Sequence, residues 1–188
     1  MWRTCLRARL PACAAPSATS VGLIARLPNR MNSTAHASDS SAQRGAESVA
    51  LTRLGEALGC ALVSRRLDLG AGTYVQIDGY NAEHRILCEV YSRVGPIKGS
   101  QPDKLASDVL KLGFVERRLG GSWRKILCFV DPAPAKLLQG KAWLAAATSD
   151  AGVEFFVVSL PQHICDGIVS AQIKQMMVSP PDGSEGSV

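Results

Sequence analysis

Two short apolar runs, residues 126–130 and 155–158, set the tightest limit on how this chain folds. Neither approaches the roughly 18–20 residues that cross a bilayer, and neither alternates with polar residues. A strand buried on both faces reads this way, and it needs helices on both sides of its sheet. The flanking patterns supply them. Leu51, Leu54, Leu58 and Leu62 recur at helical spacing, which predicts a helix over 46–62. Residues 67–72 form a polar connection, and 73–80 and 85–93 read as two strands joined by a short turn. After a loop at 95–101, Pro102 opens a helix with a stripe of Leu105, Val109, Leu112 and Leu119, stopped by Gly120 and Gly121. The central strand 123–131, a helix over 133–147, a strand at 153–160 and a helix over 161–177 complete the order. The expectation is one α/β domain at 46–178 with order α-β-β-α-β-α-β-α. Its mixed central sheet contains an antiparallel hairpin and is flanked by helices.

Charge is distributed unevenly along the chain. The formal net charge is +5, from 21 Lys and Arg against 16 Asp and Glu. Five arginines (Arg3, Arg7, Arg9, Arg26, Arg30) precede the first acid, Asp39. Beyond residue 38 the balance is 21 − 5 = 16 basic against 16 acidic, which is zero. The body of the protein therefore has no global field for a polyanion, and nucleic-acid contact requires a local patch. Residues 1–30 combine Arg, Ala, Ser and Pro without acids, as an organelle transit peptide does. A start at Met31 is the simpler alternative, because Pro11, Pro16 and Pro28 interrupt an amphipathic helix. Residues 1–45 are expected as leader and polar linker, and 179–188 as a disordered tail, of a protein in a bacterial cytoplasm.

Cys60, Cys88, Cys128 and Cys165 are widely spaced, with no C-x-x-C pair, and read as reduced structural thiols. The three histidines make no zinc site by themselves. His84 reads as a turn residue, His163 has no evident partner, and Trp123 and Trp143 are expected in the core.

The hairpin carries the chemistry. With the tightest turn centred between Ala82 and Glu83, Asp78 faces Leu87 and Gln76 faces Glu89. Residues two apart share a face, so Asp78, Glu89 and Tyr91 project together. The two acids become diagonal neighbours about 7–8 Å apart, close enough to converge on one hard cation such as Mg²⁺. A glutamate inside an apolar strand calls for a partner, and an ion pair with Arg85 or Arg93 is the ordinary one. Glu47 sits on the apolar stripe of the first helix, either as a site acid or as a residue favoured by the helix dipole. Lys104, Asp108 and Lys111 form one polar stripe on the second helix. That stripe is either an ion-paired solvated face or the source of a lysine that reaches the hairpin.

A hairpin bearing Asp78 and then Glu89-Val90-Tyr91, between a helix with Glu47 and a helix followed by a buried strand, resembles the PD-(D/E)XK superfamily. The stretch 89–112, with Gly95-Pro96-Ile97-Lys98-Gly99 and then Lys104, Asp108 and Lys111, resembles small bacterial members of it. The resemblance covers about residues 46–160. It implies a restriction-endonuclease-like fold and Mg²⁺-dependent hydrolysis of DNA or RNA phosphodiesters. Asp78 and Glu89 would be the metal ligands and Glu47 the first-helix acid. Two positions depart from the pattern: Ile77 stands where a proline is usual, and Tyr91 replaces the motif lysine. The resemblance then implies that the lysine has moved to Lys98 or Lys104, with Lys104 preferred. Otherwise the domain is a catalytically inactive binding or assembly module.

Overall fold

The apolar run 126–130 forms a fully buried inner strand, whereas the run 155–158, expected to be buried on both faces, falls on an edge of the sheet with Val157 44% exposed. The computed structural model describes residues 37–178, and the expected leader at 1–30 and tail at 179–188 lie outside the described residues. The elements in chain order are α1 (Ala37–Leu58), β1 (Val63–Asp68), β2 (Tyr74–Asn81), β3 (Ile86–Tyr91) and α2 (Gln101–Leu119). They continue with β4 (Arg124–Phe129), α3 (Pro132–Ala135), a 3-10 turn (Lys136–Gln139), α4 (Trp143–Asp150), β5 (Val153–Val157) and α5 (Gln162–Val178). The five strands lie in the sheet in sequence order. β1, β2 and β3 pair antiparallel, and β3, β4 and β5 pair parallel.

Alternation along the strands divides the core into two layers. Leu87, Tyr91, Leu127 and Phe129 face Leu105, Leu112 and Val115 of α2 and Leu144 of α4. Cys88, Val90, Ile126 and Cys128 face Ala46, Ala50 and Leu54 of α1 and Ile168 of α5. β3 is buried along its whole length. Cys88 and Cys128 are free and fully buried, as small apolar side chains. No helix among the described residues is long and apolar enough to cross a membrane.

Four expectations need correction. β1 is an additional strand, where the sequence suggests the end of a helix and a connection. Its Ser64, Arg65 and Arg66 are all exposed, so an edge position replaces the apolar alternation that marks a strand. α1 begins at Ala37, inside the segment expected as linker, and ends at Leu58, where Gly59 takes φ +70°. The helix expected over 133–147 is split at Gly140, whose extended backbone separates the 3-10 turn from α4. Trp143 is 70% exposed, at the N-terminus of α4, and does not join the core. Trp123 is half-buried and stacks on Tyr80 at 5.6 Å between ring centres.

Candidate metal and phosphodiester site

A four-residue turn sets the hairpin register. Asn81 pairs with Ile86, Tyr80 with Leu87 and Gly79 with Cys88. The side-chain oxygen Oδ1 of Asn81 accepts the His84 N–H at 2.8 Å, and Arg85 takes φ +51°. The turn is thus centred between Glu83 and His84, two residues of pairing away from the register expected. Continued by one step, this register sets Asp78 directly opposite Glu89.

The ladder stops before that step because β2 bulges. Against β1, Tyr80 pairs with Val63 but Ile77 pairs with Arg65, so two β2 residues, Asp78 and Gly79, oppose Ser64 alone. Asp78 Oδ2 accepts the Val90 N–H at 2.9 Å, where a backbone carbonyl would otherwise serve. Gly79 lets α1 close on the bulge, since a Cβ there would lie 2.7 Å from Leu51 Cδ2 and 3.0 Å from Cys88 Cβ. Leu51 is one turn from Glu47, so this contact also delivers Glu47 to the hairpin.

The three acids are brought to one end of the sheet, though not onto one face. Glu89 projects into the α2 layer with Tyr91. Glu47 approaches from the α1 layer and accepts the Ser92 hydroxyl at 3.2 Å. Asp78, at the bulge, lines a cleft of about 600 Å³ with Glu47, Arg44, Ser64 and Gln76. Burial first, and then Asp78, raise the pKa of Glu47. The same two causes, in the same order, push Glu89 up to about 8 against the opposing pull of Lys111. Asp78 is therefore the charge felt by both glutamates.

The cation that touches Glu89 is Lys111. Its Nζ lies 2.5 Å from Glu89 Oε2 and donates to the Gln76 carbonyl at 3.0 Å. Lys104, preferred from the sequence, instead pairs with Asp108 at 2.8 Å. Burial alone would lower its pKa, but Asp108, with further support from Glu89 and Asp78, raises it. Lys98 lies in the loop after β3, where its backbone N–H is held by Gln101 Oε1 at 3.0 Å. Neither arginine proposed as a private partner of Glu89 takes that role: Arg93 donates to Gln175 at 2.9 Å, and Arg85 lies against Gly121. Tyr91 is 1% exposed and donates its hydroxyl to Gln101 at 3.1 Å. Burial raises its pKa above the ordinary value of 10, so it stays neutral and structural. His84 is a turn residue, as expected, and His163 is exposed.

One carboxylate oxygen at this site is left unsatisfied, as a cation ligand would be. Glu89 Oε1 is buried and has no hydrogen-bond partner. A buried acceptor without a donor costs about 1–3 kcal/mol, and a proton or a cation relieves the repulsion from Asp78. Among the described residues no group of three or more His, Cys, Asp or Glu converges as a metal cage. The protein thus offers two coupled carboxylates, which suits Mg²⁺, an ion commonly bound by one or two carboxylates together with water and substrate phosphate. The role of Lys111 was within reach of the sequence. It shares the polar stripe of Lys104, and it lies one position before Leu112, at the depth of the core rather than at the helix start.

No family model matches the chain, and no curated protein or solved structure matches it either.

Proposed function

We propose that the domain is a metal-dependent nuclease of restriction-endonuclease-like fold, with Asp78 and Glu89 holding the ion and Lys111 as the lysine displaced from the motif. One observation carries this reading: a buried glutamate oxygen without a donor, beside an aspartate at a β-bulge and a lysine from the next helix. The order α1-β1-β2-β3-α2-β4, with its antiparallel and parallel halves, supports the resemblance to PD-(D/E)XK proteins. When bound, Mg²⁺ would polarise a phosphodiester oxygen and lower the pKa of an attacking water.

The chain's own residues perform the remaining tasks. Asp78 keeps one oxygen on the Val90 N–H, which fixes its carboxylate at the mouth of the cleft. Lys111 supplies positive charge beside Glu89, suited to the anion that develops as the phosphate is attacked. Glu47 lines the same cleft as Asp78, where a carboxyl can serve as general acid toward a leaving oxygen. Tyr91 packs and donates its hydroxyl to Gln101, and Lys111 rather than residue 91 supplies the charge beside Glu89.

The test is cleavage of single- and double-stranded DNA and RNA in Mg²⁺ or Mn²⁺. Glu89→Gln is expected to lower the rate by about 10³-fold, and Lys111→Met by about 10²-fold or more. Intact substrates across all metals and nucleic-acid forms would overturn the proposal. The Glu89–Lys111 ion pair favours a second reading, an inert assembly module in which this pair only closes a structural network. Thermal stabilisation by Mn²⁺ in the wild type, lost in Glu89→Gln, excludes that reading.

A further inference from the structure

A second cleft adjoins the acids, with the opposite charge. It has a volume of about 620 Å³ and lies between the β3–α2 loop and α5. Arg93, Val94, Pro96, Lys98 and Gln175 are among its lining residues, and among the described residues no acid lines it. Arg93, which lines this cleft, follows Ser92, whose hydroxyl donates to Glu47 of the acid cleft, so a single peptide links the two linings.

This cleft is a built concavity. Val94 is held by its N–H and its carbonyl, both at 3.0 Å, to the side-chain amide of Gln172. The next N–H, of Gly95, donates to Asp131 Oδ2 at 2.8 Å, while Asp131 Oδ1 caps α3 through the Ala133 N–H. One side of the loop is therefore pinned to α5 and to the end of β4. On the other, Gln101 Oε1 accepts both the Tyr91 hydroxyl and the Lys98 N–H. Gln175 orients the Arg93 guanidinium through one N–H, which leaves its other donors for a ligand. Among the described residues neither Arg93 nor Lys98 forms a salt bridge. Beyond residue 38 the charges sum to zero with these two included, so two cations without a carboxylate in one cleft are a local excess that suits an anion.

We infer that this cleft binds one phosphate-bearing nucleotide of the substrate strand, adjacent to the nucleotide whose phosphodiester lies at Asp78 and Glu89. The inference rests on the proposed function for the continuity of the strand; the cleft's affinity for a nucleotide can be measured apart from cleavage. Its volume falls in the range of about 300–1,000 Å³ typical of small-ligand sites, larger than a bare phosphate needs. Val94 and Pro96 give an apolar wall for sugar or base, and Arg93 and Lys98 meet the phosphate. Acids on one side and cations on the other place ion-assisted chemistry at one phosphate and simple charge recognition at its neighbour.

The experiment is calorimetric titration of the full chain with thymidine 5′-monophosphate, with thymidine, and with inorganic phosphate, all without divalent metal. The monophosphate is expected to bind more tightly than either fragment. Arg93→Gln/Lys98→Gln, with its melting temperature checked against wild type, should weaken it by about tenfold or more. Glu89→Gln should leave it unchanged. Equal binding by wild type and the double variant, or thymidine binding as well as its monophosphate, would overturn the inference. Loss of binding in Glu89→Gln alone would move the nucleotide to the acid cleft and overturn it equally. Nucleotide binding by a protein that cleaves nothing would retain the cleft and reject the nuclease.

Discussion

The two halves of the sheet solve opposite problems. In the parallel half, β3, β4 and β5 pair residue by residue without interruption, and five of the six β4 residues are buried. In the antiparallel half, β1 and β2 change register at Asp78 and Gly79, and β1 is exposed at five of its six positions. The first half is regular because apolar burial rewards any well-matched ladder. The second is irregular at the point where two carboxylates must approach one another. β3 belongs to both halves, and Glu89 is its one charged residue. Apolar burial is concentrated on one side of that strand and the irregular pairing on the other.

That division can be broken most forcefully at Phe129, fully buried between Tyr91 and Phe155. Phe129→Ala is expected to cost about 3–5 kcal/mol in urea unfolding, while folded protein at low temperature keeps its metal response. Loss of the metal response in molecules that remain folded would show that the halves are not separable.

A smaller effect tests the irregular side by pH. Glu89 has a folded pKa of about 8 against an ordinary 4.5, so between these values the native state holds a proton that the unfolded chain has lost. Stability should then fall as pH rises from about 5 to 8, by at most about 1.4 kcal/mol per pH unit from this group. Glu89→Gln should remove that slope, and a slope that persists unchanged would assign it elsewhere. Because a metal ligand must be deprotonated, Mn²⁺ should bind more tightly as pH rises over the same window.

Gly79→Ala probes the hinge between the halves. The added methyl meets Leu51 and Cys88, so about 1–3 kcal/mol of stability should be lost as α1 is pushed off the hairpin. Equal stability would mean that Leu51 swings aside without moving α1. At the small end, Arg124 and Glu154 pair at 2.8 Å across β4 and β5, both well exposed. Glu154→Gln should change stability by less than about 1 kcal/mol, and by less still in high salt.

Legibility in the sequence follows the same division. The inner strands β3 and β4, the start of α2 near Pro102 and its end at Gly120 could be read directly, because burial and backbone restriction act locally, whereas the apolar run of β5 did not reveal its edge position. β1 could not, since an edge strand with Arg65 and Arg66 on opposite faces has no apolar period. The first turns of α1, rich in Ser and Ala, lack the leucine stripe that marks the remainder. At the site, Glu89 stood out as an acid in an apolar strand. The hairpin register did not, because it depends on a four-residue turn and on Arg85 adopting a positive φ. Lys104 and Lys111 share one stripe, and only the placement of α2 over Gln76 separates the lysine bound to Asp108 from the one on Glu89.

The extra residue in β2 has a consequence for how this protein tolerates length changes. Deleting one residue at the bulge would let β1 and β2 zip without a gap, and such a chain would be the tidier fold. It would also turn the aspartate out of its seat against Val90. For this hairpin, a perfect ladder and the Asp78–Val90 contact are mutually exclusive.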